Sequence, residues 1–279
     1  MEYYQFIFEA IPKDKNDILI ALLADAGFSG FEEEENKLIA CISSKDFDEE
    51  LFKRIIQLVK AEYSTSIVKE INWNAKWESD FEPVIVLHPE SQMPFAIIRA
   101  NFHQPSAQVM HDIIITPKMS FGTGHHATTY LMIERMSLQS FLNKSVIDFG
   151  TGTGVLAILA EKMGAAKIDA IDNDDWSINN AKENIENNNC QKINLYNEET
   201  ISTIKKANII LANINLNVIV SQLDEIINAC EAGAVLLISG ILVQDKAIIL
   251  KALKEKNIKI INCFERNNWL AIETKYSKV

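Results

Sequence analysis

The spacing of hydrophobic residues divides the chain into a short first region and a longer second one. In residues 1–71, alternating hydrophobic positions predict strands, and hydrophobic positions three and four apart predict helices. The predicted order is strand, helix, strand, strand, helix, strand, in segments 3–11, 16–26, 28–34, 37–42, 46–63 and 65–71. This order is typical of a small ferredoxin-like α+β domain. Its second helix is expected to bury Leu51, Ile55, Leu58 and Val59.

The second region alternates hydrophobic strands with amphipathic helices. Short strands are predicted at 84–87, 95–99 and 112–116, and a helix at 127–142. Later strands are predicted up to 147 and at 166–171, 192–196, 207–212, 234–239, 258–264 and 269–274, separated by helices at 155–163, 175–189, 217–230 and 244–256. This alternation predicts a mostly parallel sheet with helices on its faces.

The last two predicted strands are separated by only four residues, so they are expected to form a hairpin whose final strand runs antiparallel to the rest. The predicted fold class is α/β: a seven-stranded, doubly wound, Rossmann-like domain at 84–279. It follows the first domain, 1–71, and a linker at 72–83 that carries Trp73 and Trp77.

The charge and cysteine content of the chain indicate which partners, metal sites and cellular location are expected. The chain has 27 basic and 38 acidic residues, a net charge of −11, and residues 1–70 alone carry 15 acids and 8 bases. This balance disfavours non-specific binding to nucleic acid and favours a basic partner. The cysteines are scattered without a C-x-x-C pair, the chain has no long apolar run, and no leader sequence is expected. A monomeric cytoplasmic protein without a membrane segment or metal site is expected.

The strongest chemical pattern lies between residues 146 and 175. A strand is followed by Asp148, then by Gly150, Gly152 and Gly154, which lead into a helix. The next strand ends at Asp172, 22 residues after Gly150. Because the carboxyl ends of neighbouring parallel strands meet at one crevice, the glycines and Asp172 are expected to face the same ligand. An acid at this spacing is typical of one that binds ribose hydroxyls, so an adenosine-containing cofactor is expected.

Asp148 distinguishes between adenosine cofactors. The glycines lack the G-x-G-x-x-G spacing of dinucleotide-binding loops. A carboxylate beside them would repel a pyrophosphate, but it would attract the ammonium and sulfonium groups of S-adenosylmethionine. S-adenosylmethionine is therefore the expected cofactor, and a glycine turn flanked by surface acids is the alternative.

A second polar loop precedes the helix predicted at 127. It contains Gly122 and Gly124 and continues into the hydroxyl residues Thr128 and Thr129, which could bind an anionic group such as a carboxylate at the helix start. His125 and His126 are adjacent, so they point apart, and no partner spacing for a metal accompanies them. No metal site and no obvious general base are expected here.

Asn213 ends a hydrophobic strand, again at the sheet edge where ligands bind. An amine that attacks a methyl group must be oriented, and an asparagine carbonyl can accept its N–H bonds. Asn213 is therefore the candidate catalytic residue. The alternative is an asparagine that merely turns the chain out of the strand.

The segments FGTGHHATT, VIDFGTGTGVLAI, GAAKIDAIDND and NIILANI, in this order behind the first domain, resemble the bacterial PrmA family of ribosomal protein methyltransferases. The resemblance implies S-adenosylmethionine-dependent methylation of lysine and N-terminal amines of the large-subunit ribosomal protein L11. It implies cofactor contacts at Thr129, Gly150, Asp172 and Asn213, with Thr128, Gly152 and Gly154 beside them. Two positions depart from the family pattern: residues 125–127 read His-His-Ala instead of Thr-His-Pro, and Ile214 replaces a common proline.

Two other functions remain open. A methyltransferase could act on a nucleic-acid base amine or a small molecule, because a strand-terminal asparagine suits those acceptors too; the net charge of −11 counts against nucleic acid. A non-catalytic adaptor could retain the fold for cofactor binding alone. The presence of Asp148, Asp172 and Asn213 together counts against the adaptor.

Overall fold

Residues 2–9, 13–34, 37–69, 81–118 and 121–277 are described in the computed structural model of the protein. The chain divides into two units, residues 1–76 and 77–279. Most of the predicted linker, including Trp73 and Trp77, lies outside the described residues.

The first unit is a four-stranded sheet with two helices. Its elements are β1 (Glu2–Glu9), α1 (Lys13–Asp25), β2 (Gly30–Glu34), β3 (Lys37–Ser43), α2 (Glu49–Val59) and β4 (Tyr63–Lys69). The strands lie in the order β2-β3-β1-β4, and each neighbouring pair is antiparallel. The core between helices and sheet is purely hydrophobic and rich in phenylalanine.

Helix α2 differs from its prediction in length and in the face it buries. It begins at Glu49, because the Asp48 carboxylate accepts hydrogen bonds from the backbone N–H groups of Glu50 and Leu51. It ends at Val59, because Lys60 takes a left-handed conformation. The buried face consists of Phe52, Ile55 and Val59. The expected burial of Leu51 and Leu58 was wrong: they are 39% and 72% exposed. The Phe52 ring packs with its centroid 4.3 Å from that of Phe6, so the helix face that carries Phe52, and not the one with the two leucines, meets the sheet.

The second unit begins with a separate three-stranded sheet of β5 (Val84–Leu87), β6 (Pro94–Arg99) and β7 (His111–Ile114). The following elements are α3 (Ala127–Met136), β8 (Ser145–Phe149), α4 (Val155–Lys162), β9 (Lys167–Asp172), α5 (Asp175–Asn187), β10 (Ile193–Asn197), β11 (Ala207–Asn213), α6 (Leu216–Ser221), α7 (Leu223–Asn228), β12 (Cys230–Leu242), α8 (Lys246–Glu255), β13 (Lys259–Arg266) and β14 (Trp269–Lys275).

These later strands form one sheet in the order β10-β9-β8-β11-β12-β14-β13. Strands β8 to β12 are parallel, and β14 is antiparallel to both β12 and β13, so the predicted orientation of the final strand is confirmed. Asn267 and Asn268 both have positive φ angles, as a tight hairpin turn requires. Hydrophobic clusters cover both faces of the sheet, with Val146 in one and Ile147 in the other.

In the second unit, three predicted elements differ most from their predicted bounds. The helix predicted at 127–142 ends at Met136. The helix predicted at 217–230 is two helices, α6 and α7, because Gln222 leaves helical geometry between them. The strand predicted at 234–239 extends from Cys230 to Leu242. None of the described helices is long and apolar enough to cross a lipid bilayer.

Candidate functional site

A cavity of about 660 Å³ lies at the carboxyl ends of the central strands, within the size range of small-ligand sites. Strand order reverses between β8 and β11, because the chain runs outward through β9 and β10 before it returns beside β8. Such a reversal opens a crevice at the strand ends. Four predicted site residues line the cavity: Gly150, Gly152, Asp172 and Asn213. The other four do not line it: Thr129 and Thr128 contact the lining residues Asn213 and His126, whereas Asp148 and Gly154 are hydrogen-bonded to Thr151 of the glycine loop.

The glycine loop is shaped by backbone contacts as well as by the cavity. The N–H groups of Gly150 and Thr151 both donate to the carbonyl of Ile171, each at 2.9 Å. Gly152 has φ +55°, and a Cβ there would lie 2.3 Å from the carbonyl oxygen of Phe121. Glycine is therefore required at 152 by the close approach of another loop as well as by its backbone angle. Gly154 precedes α4 as its N-cap residue.

Asp172, the last residue of β9, is hydrogen-bonded to the glycine loop that follows β8. One carboxylate oxygen accepts from the N–H of Gly152 at 2.9 Å, and the other accepts from the N–H of Asp174 at 3.1 Å. Each oxygen has a second lone pair, so the carboxylate can still accept bonds from a ligand's hydroxyl groups. The side chain is half-buried and faces the cavity.

Asp148 lies beneath the glycine loop and has no exposed surface. Its Oδ2 accepts from the Thr151 hydroxyl at 2.7 Å and from the N–H of Ala157 at 3.1 Å. Its Oδ1 has no hydrogen-bond partner among the described residues. Burial raises the pKa of the Asp148 carboxyl to about 7, against the lowering effect of those two hydrogen bonds. The group thus fastens the loop to the start of α4.

Asn213 is 8% exposed at the end of β11. Its Nδ2 lies 3.5 Å from the hydroxyl of Thr129, and its Oδ1 has no partner in the described part of the chain. Buried polar atoms are normally hydrogen-bonded, so an orphaned carbonyl oxygen at a cavity wall fits a site that a ligand completes. Thr128, the residue before Thr129, is fully buried against the imidazole of His126 at 2.8 Å.

Three aromatic side chains form the cavity wall that the sequence did not predict. The His126 ring lies 5.0 Å from that of Phe121 and 4.7 Å from that of Trp269, both edge to face. Burial lowers the pKa of His126, which favours the neutral imidazole. His126 also caps α3. The histidine pair was noted in the sequence, but no spacing indicated that residue 269 would meet residue 126.

Among the described residues, the fully charged side chains that line the cavity are all acidic. Asp172, Glu198 and Glu199 line it, and neither lysine nor arginine does. A pyrophosphate would be repelled by this lining, whereas a cation would be attracted. The acidic lining therefore fits a cationic adenosine compound better than a dinucleotide.

Comparisons with known proteins agree with this geometry. The family model described as ribosomal protein L11 methyltransferase (PrmA) matches residues 15–277. A protein of Bacteroides thetaiotaomicron named ribosomal protein L11 methyltransferase is 34% identical over 285 residues, covering 99% of this chain and 100% of that protein. A protein of the same name from Chlorobaculum parvum is 35% identical, covering 96% of this chain and 95% of its own.

Solved structures support the same fold. The crystal structure of a ribosomal protein L11 methylase from Lactobacillus delbrueckii subsp. bulgaricus superposes with a TM-score of 0.61 at 26% identity, covering 66% of this chain and 95% of that one. A methyltransferase from Pyrococcus furiosus, at 15% identity and a TM-score of 0.51, covers 60% of this chain and 90% of its own and shares the fold. The sheet is thus that of Rossmann-like methyltransferases. With a family model matching almost the whole length and full-length relatives above 30% identity, the chain belongs to the ribosomal protein L11 methyltransferase (PrmA) family.

Proposed function

We propose that this chain is an S-adenosylmethionine-dependent methyltransferase that methylates lysine and N-terminal amines of ribosomal protein L11. The observation that carries the proposal is the family match over residues 15–277, which includes every residue of the cavity wall. Relatives that bear this name align along both units of the chain. The proposal includes a monomeric enzyme in the cytoplasm.

The cavity fits the cofactor on chemical grounds. In this proposal Asp172 holds the ribose hydroxyls through its remaining lone pairs, and Gly150 and Gly152 let the backbone approach the ligand. Asp148 holds the glycine loop from below through Thr151, and Thr129 and Thr128 lie behind the lining residues Asn213 and His126. When bound, S-adenosylmethionine supplies a methyl group on a sulfonium ion, which an unprotonated amine can attack. The acidic lining favours this cation over the neutral product.

Asn213 is proposed to orient the acceptor amine. Its amide nitrogen is turned to Thr129, so its carbonyl oxygen is left as the acceptor for an amine N–H. Holding an N–H bond fixes the direction of the nitrogen lone pair, and such positioning accounts for much of the acceleration in group transfer. The role of Asn213 is therefore to align the nucleophile, not to remove its proton.

The first unit is proposed to be a ferredoxin-like domain that recognises the protein substrate. Its strand order, β2-β3-β1-β4, with two helices over one face, supports the assignment of the fold. The proposed boundaries are 1–71 for this domain, 72–83 for the linker and 84–279 for the methyltransferase domain. Its net charge is negative, which suits a basic ribosomal protein.

Labelled S-adenosylmethionine, incubated with the enzyme and separated ribosomal proteins, tests the proposal. We expect label in L11 and an increase of its mass by whole methyl groups. Asn213→Ala should lower the single-turnover rate on the order of 100-fold, because the amine loses its orientation. Asn217→Ala is the matched control, since Asn217 is exposed on α6 and does not line the cavity. Label in RNA with none in L11 would contradict the proposed substrate.

A further inference from the structure

The strand beside Asn213 is interrupted by a bulge at Gly240. Strand β12 pairs with β14 on both sides of this point, but the register shifts between Ile238 and Ile241. Gly240 has φ +86°, in the left-handed region. A glycine inside a strand is typical of a bulge or of a site where another backbone comes close. At Gly240 both are present, and the approaching backbone belongs to Ile214, the residue after Asn213.

The loop at Ile214 is held between two glycines. A Cβ on Gly240 would lie 2.3 Å from the carbonyl oxygen of Ile214 and 2.9 Å from its nitrogen. On the other side, a Cβ on Gly150 would lie 2.1 Å from Cγ2 of Ile214. Strand β11 lies between β8 and β12 in the sheet, so the loop that follows it lies between Gly150 and Gly240. Neither neighbour leaves space for the loop to shift.

We propose that Gly240 is a positioning residue for methyl transfer, which holds Asn213 in place by allowing the Ile214 backbone to pack directly against β12. The inference rests on the proposed function of Asn213. Ordinary contact begins at 3.4 Å, so an alanine at 240 would move the Ile214 carbonyl by about 1.1 Å from its 2.3 Å approach. Asn213 is bonded to Ile214 and pairs in register with Ser239, the residue before Gly240. The displacement would therefore pass directly to Asn213.

The residues proposed to bind the cofactor and those proposed to position the acceptor amine lie on different strands. The affinity for the cofactor and the rate of transfer can therefore be measured as separate effects of a substitution. Gly152 and Asp172 follow β8 and β9, on one side of β11. Gly240 and Trp269, on β12 and β14, line the cavity on the other side. A change at Gly240 acts first on the Ile214 backbone and Asn213 and reaches Gly150 only through the Ile214 side chain, so it should lower the rate of transfer more than the affinity for the cofactor.

Gly240→Ala and Gly233→Ala form a matched pair that tests this role. Gly233 lies on the same strand with φ +80°, but nothing lies within 4 Å of the position of its Cβ. Both variants carry the same backbone strain, and only Gly240→Ala adds the clash. We expect a single-turnover rate lower by on the order of 100-fold in Gly240→Ala than in Gly233→Ala, the loss typical of a displacement of about 1 Å. The dissociation constant for S-adenosylhomocysteine should stay close to that of the control.

A second pair keeps the test decisive if Gly240→Ala folds poorly. Ile214→Ala removes the side chain that fills the space beside Gly150, so the loop can move without unfolding the protein. The double variant should be more stable to heat than Gly240→Ala alone, because the loop can move into the space left by the Ile214 side chain, and its rate should still lie below that of Ile214→Ala alone. Equal rates within both pairs would overturn the role of Gly240. Activity of Gly233→Ala on L11 tests the proposed function separately, because that variant leaves the cavity unchanged.

Discussion

The two units differ in what they bury. Among the described residues, all fifteen buried polar or charged side chains lie in the second unit, and the buried residues of the first unit are hydrophobic. Burying a polar group is unfavourable unless it is hydrogen-bonded, so a fold retains such groups where something other than stability requires them. Asp148, Thr128, Thr129 and Asn213 are four of the fifteen, and they surround the cavity wall. In the part of the chain that the structure describes, the buried polar groups and the cavity thus lie together in the second unit.

The largest expected effect concerns the hydrophobic core of the first unit. Phe52 is 2% exposed, and its ring contacts those of Phe6, Phe28, Phe47 and Tyr63. Phe52→Ala should lower the free energy of unfolding of this unit by about 3–5 kcal/mol. Hydrogen exchange, followed by mass spectrometry, should show lost protection in β1 and α2 while β8 and β11 remain protected. Leu58→Ala, a surface change on the same helix, should stay within about 0.5 kcal/mol. Equal loss of protection in both units would mean that they do not fold separately.

Helix α2 also shows why a sequence pattern alone cannot predict which face of a helix is buried. Leu51, Ile55 and Leu58 share helical spacing, and so do Phe52, Ile55 and Val59; the pattern alone cannot choose between faces one residue apart. The choice depends on which side chains fit the sheet opposite, and that is a tertiary property. The succession of strands and helices followed from periodicity, and the residues at the ends of β8, β9 and β11 were predictable because parallel strands bring their carboxyl ends to one edge whatever their exact lengths.

The unpredicted part of the site comes from segments far apart in sequence: the loop before α3 and the strands β12 and β14. Phe121, His126, Gly240 and Trp269 line the cavity, although 148 residues separate the first from the last. Periodicity carries no information on such contacts. Gly240 offered one usable signal, since an isolated glycine after a hydrophobic strand indicates a bulge or a close approach.

Removing the first unit tests the division of roles directly. A protein that begins near Asn72 retains the cavity residues, and we expect it to bind S-adenosylhomocysteine with near-native affinity. Its kcat/KM on L11 should fall on the order of 100-fold, because L11 no longer docks on the enzyme and its amines are no longer held near the site of transfer. Calorimetry and methylation assays on the same truncated sample separate the two quantities. Full activity on L11 would refute the recognition role, and loss of both quantities would make the first unit structural.

Asp172→Ala should weaken cofactor binding without affecting the first unit. A carboxylate that accepts bonds from ribose hydroxyls makes charged hydrogen bonds worth about 1.5–3 kcal/mol, so the dissociation constant should rise roughly 10- to 100-fold. Asp175→Ala is the control, because Asp175 is an exposed carboxylate three residues away that does not line the cavity. If both variants weakened binding equally, general negative charge rather than a direct contact would explain the affinity.

The smallest expected effect is a pH dependence of stability that only the second unit should show. Asp148 has a pKa of about 7 in the folded protein because it is buried, whereas an unfolded aspartate titrates near pH 3.9. Between these values the unfolded chain binds fewer protons than the folded one, so this group makes stability fall as pH rises and level off above about pH 8. The loss between pH 6 and pH 8 should be about 1.4 kcal/mol. Asp148→Asn keeps a neutral side chain of similar size and cannot ionise. Urea unfolding of both proteins at pH 6 and 8 gives the difference, and parallel pH profiles for wild type and Asp148→Asn would show that Asp148 is ionised throughout.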